Sequence, residues 1–482
     1  MSLKENTANA ITAIVGAENV ITNEETILSL DPVMLSAFQK AHGTYKPAFM
    51  PLCYVKIAST EMASKVLAYC NENDIHVIIR TGASSSEGQL KVIDDRTVIL
   101  DGSPMNEIIS IDPVNMVATA QCGVPLAVLE AKANELNLTT GHSPQSQPMA
   151  YMGGLVATRS TGQFSTYYGS IEDLVCGMEG VLPNGEVFRI RPVPRRAAGP
   201  DLRHIVIGAE GTIAFMTEVT VKLFSYYPDE MWRNGYIVKS FDEGMATVRE
   251  IMVKGYKPSV VRLYDKADVD HNYGSVKLKD EEAFMFFSCE GPGEIAAANG
   301  AAIHKICMDN GAEDIGTKAV DHWFIHRNDL CDITGSEMEA KHYRETGIAY
   351  ATMEICANWE DIGKIYTDAM EYVPNKVPNL TMFGGHVSHS YINGTNIYFV
   401  YNIKINDVAN ADLEYWAVMD AVCDVVLKYP SATIVHHHGV GKARVLRIKE
   451  ELGTSYPLLR TLKDAFDPKG IMNPGCLLPL EK

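Results

Sequence analysis

The sequence predicts an α+β fold, and three observations carry this. Strand-like and helix-like runs are mixed along the chain without the regular strand–helix–strand rhythm of a doubly wound sheet. Two β-prone runs, 174–182 and 186–190, are joined by Pro183-Asn184-Gly185, the signature of an antiparallel hairpin. The length, 482 residues with 46% hydrophobic and 21% charged, fits a globular chain of two to four domains at about 100–200 residues each.

The elements follow in order. Residues 7–15 read as a helix that ends at Gly16. The β-branched run 53–57, the 3–4 apolar spacing of 60–73 and the short apolar run 75–79 make a strand–helix–strand unit. It leads into Arg80-Thr81-Gly82-Ala83-Ser84-Ser85-Ser86-Glu87-Gly88. Short strands are expected at 97–100, 108–111 and 116–121, then a helix over 125–136. Residues 141–169 are rich in Gly, Ser, Thr and Pro and read as a long functional loop with helical turns. After the hairpin come helices over 240–253, 296–310 and 413–428, with strands at 259–263, 284–288 and 396–403. The tail reads as a strand over 432–438 and helices over 445–452 and 456–466.

Charge and composition exclude several classes of function. Lys plus Arg is 42 and Asp plus Glu 60, a net charge of −18, so a phosphate backbone is repelled and general nucleic-acid binding is disfavoured. No run of 18 apolar residues is present, and the start MSLKENTANAITAIVG lacks the pattern of a secretory signal. The ten cysteines form no CxxC pair, which fits free thiols in a reducing cytoplasm and no iron–sulfur cluster.

Two small-residue segments point to a bound anion. In 80–88, small side chains let successive backbone N–H groups approach a phosphate. There is no GxGxxG after the first strand and no GxxxxGK[ST], so neither the dinucleotide fingerprint nor the P-loop applies. The second block runs through Gly141-His142-Ser143-Pro144, Met152-Gly153-Gly154, Thr158-Arg159-Ser160-Thr161-Gly162, Tyr168-Gly169-Ser170-Ile171-Glu172-Asp173 and Gly208-Ala209-Glu210-Gly211-Thr212-Ile213. With Asp467-Pro468-Lys469-Gly470 and Asn473-Pro474-Gly475, these blocks resemble, in order, the FAD-linked oxidase family of the vanillyl-alcohol-oxidase type. That family includes the flavin-binding component of glycolate oxidase, D-lactate dehydrogenase and alkylglycerone-phosphate synthase. The loop 79–88 departs from the family's P-x-G-G-G-T-S-x-x-G by losing two of its three glycines.

The resemblance implies a two-subdomain FAD-binding domain over 45–225, preceded by a segment 1–44 packed on it. It implies a substrate (cap) domain with an antiparallel sheet over 226–425, and a segment 426–482 that returns to the first domain. FAD would be bound by Arg80, Thr81, Gly82, Ala83, Ser84, Ser85 and Gly88 at the pyrophosphate, and by Ser143, Gly153, Gly154, Arg159 and Ser160 along the adenine–ribityl path. Glu210, Gly211 and Ile213 would lie on the adenine side. No His stands in 81–88 or 152–162, so non-covalent FAD is expected, with His142 the one histidine nearby.

Val435-His436-His437-His438-Gly439-Val440-Gly441-Lys442-Ala443-Arg444 is the sharpest catalytic signal. Imidazoles titrate near neutrality and suit proton transfer. On a strand, His436 and His438 would share one face and His437 the other. Relatives that oxidise 2-hydroxy acids hold a divalent metal with H-x-G-D-G-N-L-H and the Glu of E-H-G. Here Tyr398 stands for the second His and His437 for the Glu, so no metal is expected. The same departures, with Gly199-Pro200-Asp201 and Ile397-Tyr398-Phe399, resemble alkylglycerone-phosphate synthase. Tyr398 with His437 or His438 is the candidate acid–base pair, its phenol lowered in pKa by nearby cations. Arg262 is the candidate anion grip, with Arg327 beside Trp323, and Arg344, as further anion residues.

The expected activity is an FAD-dependent dehydrogenase of a small hydroxylated, anionic substrate, passing hydride to flavin N5. It would require an electron acceptor such as an electron-transfer flavoprotein or an iron–sulfur subunit. The alternative is a redox-neutral transferase that exchanges an acyl ester for an ether through a flavin adduct. Family membership implies a homodimer.

Overall fold

The computed structural model describes residues 2–31, 36–331 and 333–480. The first helix, Leu3–Val15, starts at Leu3 instead of Thr7 because Ser2 and Glu5 cap each other. The Ser2 hydroxyl accepts from the Glu5 N–H at 3.2 Å, and the Glu5 carboxylate accepts from the Ser2 N–H at 2.7 Å.

Three large sheets order the molecule, beside a two-stranded pair of Leu138–Thr139 with Phe224–Ser225. In the first, Tyr54–Lys56, Thr97–Asp101 and His76–Arg80 run parallel, with Val20–Ile21 antiparallel at one edge. The helix Thr60–Glu72 crosses between Tyr54–Lys56 and His76–Arg80 and buries Val66 and Leu67 against Val55, Val77 and Leu100. At the other edge the tail adds on: Val77 N–H donates to Ile471 O and Asn473 N–H donates to Val77 O, both at 2.8 Å.

The second sheet is antiparallel, in the order Ile108–Asp112, Val117–Gln121, Phe215–Lys222, Val175–Val181, Val187–Ile190. Its last two strands form the expected hairpin, whose turn needs Gly185 at φ +86°.

The third sheet is antiparallel throughout and has nine strands. Eight run in the order Glu313–Gly316, Trp232–Val238, Ala283–Cys289, Val260–Tyr264, Leu380–Val387, Gly394–Lys404, Ile348–Asn358 and Ala432–Thr433. The ninth, Ser390–Tyr391, pairs with Gly394–Lys404. The helices Phe241–Val253, Gly293–Asp309, Trp359–Lys376 and Ala411–Val426 cover one face, burying Val248, Ile303, Ile365 and Val422 against Leu263, Val387, Ile397 and Phe399. The mixture is the expected α+β class. Among the described residues no helix is long and apolar enough to cross a membrane.

The strand expected over 432–438 is a correction. It ends at Thr433, and His436–His438 lie in a bend. The Glu354 carboxylate forces this: its Oε1 accepts three consecutive N–H groups, from His436 at 3.2 Å, His437 at 3.0 Å and His438 at 2.9 Å. A strand points successive N–H groups to opposite sides and cannot converge them on one oxygen.

Candidate active site

The site is a row across four strands. Tyr264 pairs with His386, His386 with Tyr398, and Tyr398 with Glu354. Residues directly opposite each other share a face, so these side chains line the face turned away from the helical layer. The bend 436–438 folds over the end of the row.

Tyr398 stands at the centre. Its hydroxyl lies 2.9 Å from His437 Nε2 and 2.8 Å from His438 Nε2. Burial holds its phenol above the ordinary value, with Glu354 adding to this; the cations His438 and Arg262 oppose the rise without reversing it. The expected acidification of Tyr398 is therefore corrected: it is a neutral phenol at rest. His437 and His389 are pushed down first by burial and then by neighbouring imidazoles. His436 is pushed down to about 4, again first by burial. His438 alone is raised: burial lowers it, but the carboxylate of Glu354 overcomes this.

The expected alternation of the histidines fails with the strand. His436 Nδ1 lies 2.7 Å from His437 Nδ1, and ligand atoms of His389, His436 and His437 fall within 4.8 Å of one another. Glu354 Oε2 lies 2.9 Å from His438 Nδ1 and 3.0 Å from Arg444 Nη2, and Glu87 Oε1 is 3.3 Å from that same Nη2. Glu87, Glu354 and Arg444 are buried. Glu354 was not singled out in the sequence, although one acid inside the apolar run 348–358 is the signal that marks it.

Arg262 is 5% exposed, with its guanidinium 5.0 Å from the Trp323 ring centre and its Nε unpartnered. Among the described residues no carboxylate pairs with it. Arg327 lies 5.7 Å from the same ring, donates to Gln163 Oε1 at 2.5 Å, and is pushed down to about 10 by burial and then by Arg262. Buried Arg262 and half-buried Arg327 thus flank one aromatic ring, and Arg262 has no carboxylate partner among the described residues, an arrangement able to hold an anion. Arg344 is a correction: it is exposed on the helix Ile333–Thr346, where its contact is the Ala41 carbonyl at 3.5 Å.

The segments expected at FAD come together in part. Thr81 is buried beside the helix Met152–Ala157, and Gly82 packs so closely that a Cβ there would meet Met149 O at 2.6 Å. Ala83 replaces a family glycine yet keeps the left-handed backbone, at φ +60°. Gly88 is also left-handed (φ +74°), and Ser84 and Ser85 complete the irregular turn. A Cβ on Gly154 would lie 3.3 Å from the Thr81 hydroxyl, and Gly153 backs onto Cys122. Ser160 Oγ lies 3.3 Å from His142 Nε2, while His142 Nδ1 is buried without a partner, a polar atom left for a bound group. Ser143 donates to Gln147 Oε1 at 2.8 Å, and a Cβ on Gly162 would meet its N–H at 2.6 Å. This close, small-residue channel fits a dinucleotide.

Three of the residues expected at FAD have side chains engaged within the protein. The Arg80 guanidinium turns to Asp101, at 3.1 Å, and to the Tyr54 hydroxyl. Arg159 pairs with Glu172 at 2.8 Å. The Glu210 carboxylate accepts from Val440 N–H and Gly441 N–H, each at 2.8 Å, and so holds the segment that follows the histidine bend. Gly211 adjoins Ile79 and Asn473, and Ile213 is buried in the core of the second sheet.

Comparison with known proteins agrees with this geometry. Residues 51–191 match the family model of an FAD binding domain, and residues 236–477 that of the FAD linked oxidases, C-terminal domain. The chain is 44% identical over 477 residues to YgcU of Escherichia coli K12, an uncharacterized FAD-linked oxidoreductase, with 97% of each chain covered. It is 26% identical over 454 residues to alkyldihydroxyacetonephosphate synthase of Dictyostelium discoideum, covering 88% of this chain and 72% of that one. Among solved structures it is similar in fold to p-cresol methylhydroxylase with substrate bound, at a TM-score of 0.78 and 17% identity, covering 100% of this chain and 98% of the other. The chain thus belongs to the FAD-linked oxidases, as an FAD-binding enzyme with the vanillyl-alcohol-oxidase type of fold.

Proposed function

We propose that the enzyme dehydrogenates a small hydroxylated, anionic substrate. Bound FAD, held non-covalently, supplies a two-electron acceptor at its N5. Arg262 and Arg327 grip the substrate's carboxylate or phosphate above Trp323, and Arg262 fixes it by its planar fork. Tyr398 takes the hydroxyl proton as its own passes to neutral His437, while charged His438 donates to the phenol oxygen and steadies the negative charge that develops there. The pair works without a metal. Electrons leave to a separate acceptor, an electron-transfer flavoprotein or an iron–sulfur subunit, and the enzyme works in the cytoplasm as a homodimer.

The observation that carries this reading is the Tyr398 hydroxyl, held at 2.9 and 2.8 Å by the imidazoles of His437 and His438, on the same sheet as the buried Arg262, which no carboxylate partners among the described residues. A second reading, redox-neutral ether formation, is favoured by the 26% identity to alkyldihydroxyacetonephosphate synthase. Anaerobic mixing separates the two. Bleaching of the flavin by a hydroxy acid supports dehydrogenation. Ether formation from acyl-dihydroxyacetone phosphate and a fatty alcohol, with no bleaching by hydroxy acids, replaces it by the second reading.

A further inference from the structure

We propose that Tyr398, His437, His436 and Tyr391 form a proton relay that carries the substrate's hydroxyl proton out of the buried site to the edge of the sheet. This rests on Tyr398 as the group that takes that proton.

The chain of contacts is continuous. Tyr398 OH lies 2.9 Å from His437 Nε2, His437 Nδ1 lies 2.7 Å from His436 Nδ1, and His436 Nε2 lies 2.7 Å from Tyr391 OH. Each imidazole therefore engages both nitrogens in the chain. Tyr391 is half-buried and precedes the turn at Ile392 and Asn393, both exposed.

Charge balance at the inner end sets the direction. Glu87 and Glu354 are two buried carboxylates, and Arg444 is one buried cation between them. With both carboxyls ionised, the cluster is neutral when His438, 2.9 Å from Glu354 and 3.5 Å from Glu87, is an imidazolium. Its Nε2–H then donates to the Tyr398 oxygen, and the phenol proton must point to His437 Nε2. His437 consequently carries its proton on Nδ1 and donates to His436 Nδ1. His436 carries its proton on Nε2 and donates to Tyr391. Glu354 and Glu87 act here as positioning residues.

The balance is one proton in and one out. As the substrate alcohol becomes a carbonyl, its hydride goes to FAD and its O–H bond breaks in favour of a new O–H at Tyr398. The original Tyr398 proton bonds to His437 Nε2, the His437 Nδ1 proton to His436 Nδ1, and the His436 Nε2 proton to Tyr391, whose own proton leaves to water. Each ring proton must return to its first nitrogen before the next turnover.

The test uses the holoenzyme, reduced anaerobically by glycolate or D-lactate. Tyr391→Phe keeps the ring and deletes only the hydroxyl. The relay predicts that flavin bleaching slows by about 10- to 100-fold, that KM is unchanged, and that added imidazole restores the rate without accelerating the wild type. A wild-type rate in Tyr391→Phe, with Tyr398→Phe slow, overturns the relay alone. A wild-type rate in Tyr398→Phe overturns the reading beneath it. A turnover-independent arm is nitrogen NMR of ¹⁵N-histidine holoenzyme, assigned with single His→Gln variants. The relay predicts His438 doubly protonated, His437 protonated on Nδ1 and His436 on Nε2. A proton on His436 Nδ1, or a charged His436, overturns it.

Discussion

Tyr398 shows how one residue type takes its role from its neighbours. A phenol is a weak acid, and burial makes this one weaker still, so it carries no standing charge at neutral pH. Between His438, which the Glu354 carboxylate pushes up, and His437, which burial pushes down, it needs no standing charge on the proposed route, because a proton can arrive as another departs. The proposed anion grip is tested beside it. Arg262→Ala should raise KM by about 10-fold or more in steady-state assays while kcat changes less, and Arg262→Lys should not restore it, since a point charge cannot reproduce the planar fork. At the phosphate turn, Ala83→Gly should raise unfolding stability by about 1 kcal/mol in urea titrations, because the left-handed backbone at φ +60° penalises a side chain. Tyr398, the histidine triplet and Arg262 were legible because they sit in motifs with fixed spacing. Arg344 was misread because a lone arginine carries no sign of which way its helix turns it.

Among the elements, the strand Ile348–Asn358 and the bend 436–438 depend on each other. Glu354 links them, and Glu354→Ala removes the acceptor for three backbone N–H groups and leaves Arg444 and His438 facing one carboxylate fewer. The expected loss is about 3–5 kcal/mol, read as a lower urea midpoint. Glu354→Gln keeps the shape and should lose less. This contact also explains why the tail strand was misjudged. Apolar alternation in 432–438 favours a strand locally, but a distant buried carboxylate overrides it, and local periodicity cannot register a partner 82 residues away. Phe215–Lys222 and Ile348–Asn358 escaped notice for a related reason. Phe215–Lys222 is buried on both faces over most of its length, and the second face of Ile348–Asn358 is only partly exposed, so neither shows the clean alternation of a half-exposed strand.

For the whole molecule, the α+β class was readable from the uneven sequence of elements, whereas the nine-stranded order was not, because it is set by pairings far apart in the chain. The site draws on the three large sheets, and its buried histidines tie stability to pH. His142 and His436 are pushed from 6.5 to about 3 and about 4 by burial, so they stay neutral when the unfolded chain protonates. A histidine with a depressed folded value contributes less as pH falls below its unfolded value, and each should lose about 2 kcal/mol between pH 6.5 and 5. His438 is raised, so its contribution is complete below pH 6.5 and declines as pH rises through its folded value. Glu354 is depressed and contributes in full above pH 4.5. Urea unfolding should therefore be hardest near pH 6.5 to 7, and His142→Gln should flatten the acid limb. Metal analysis of the purified protein should find no stoichiometric zinc or manganese, and finding either would remove the metal-free acid–base pair. The most direct test of the account is the anaerobic rate at which a hydroxy acid bleaches the flavin of Tyr398→Phe. A protein that keeps its FAD spectrum but bleaches about 100-fold or more slowly than wild type is the predicted result; bleaching at the wild-type rate contradicts it.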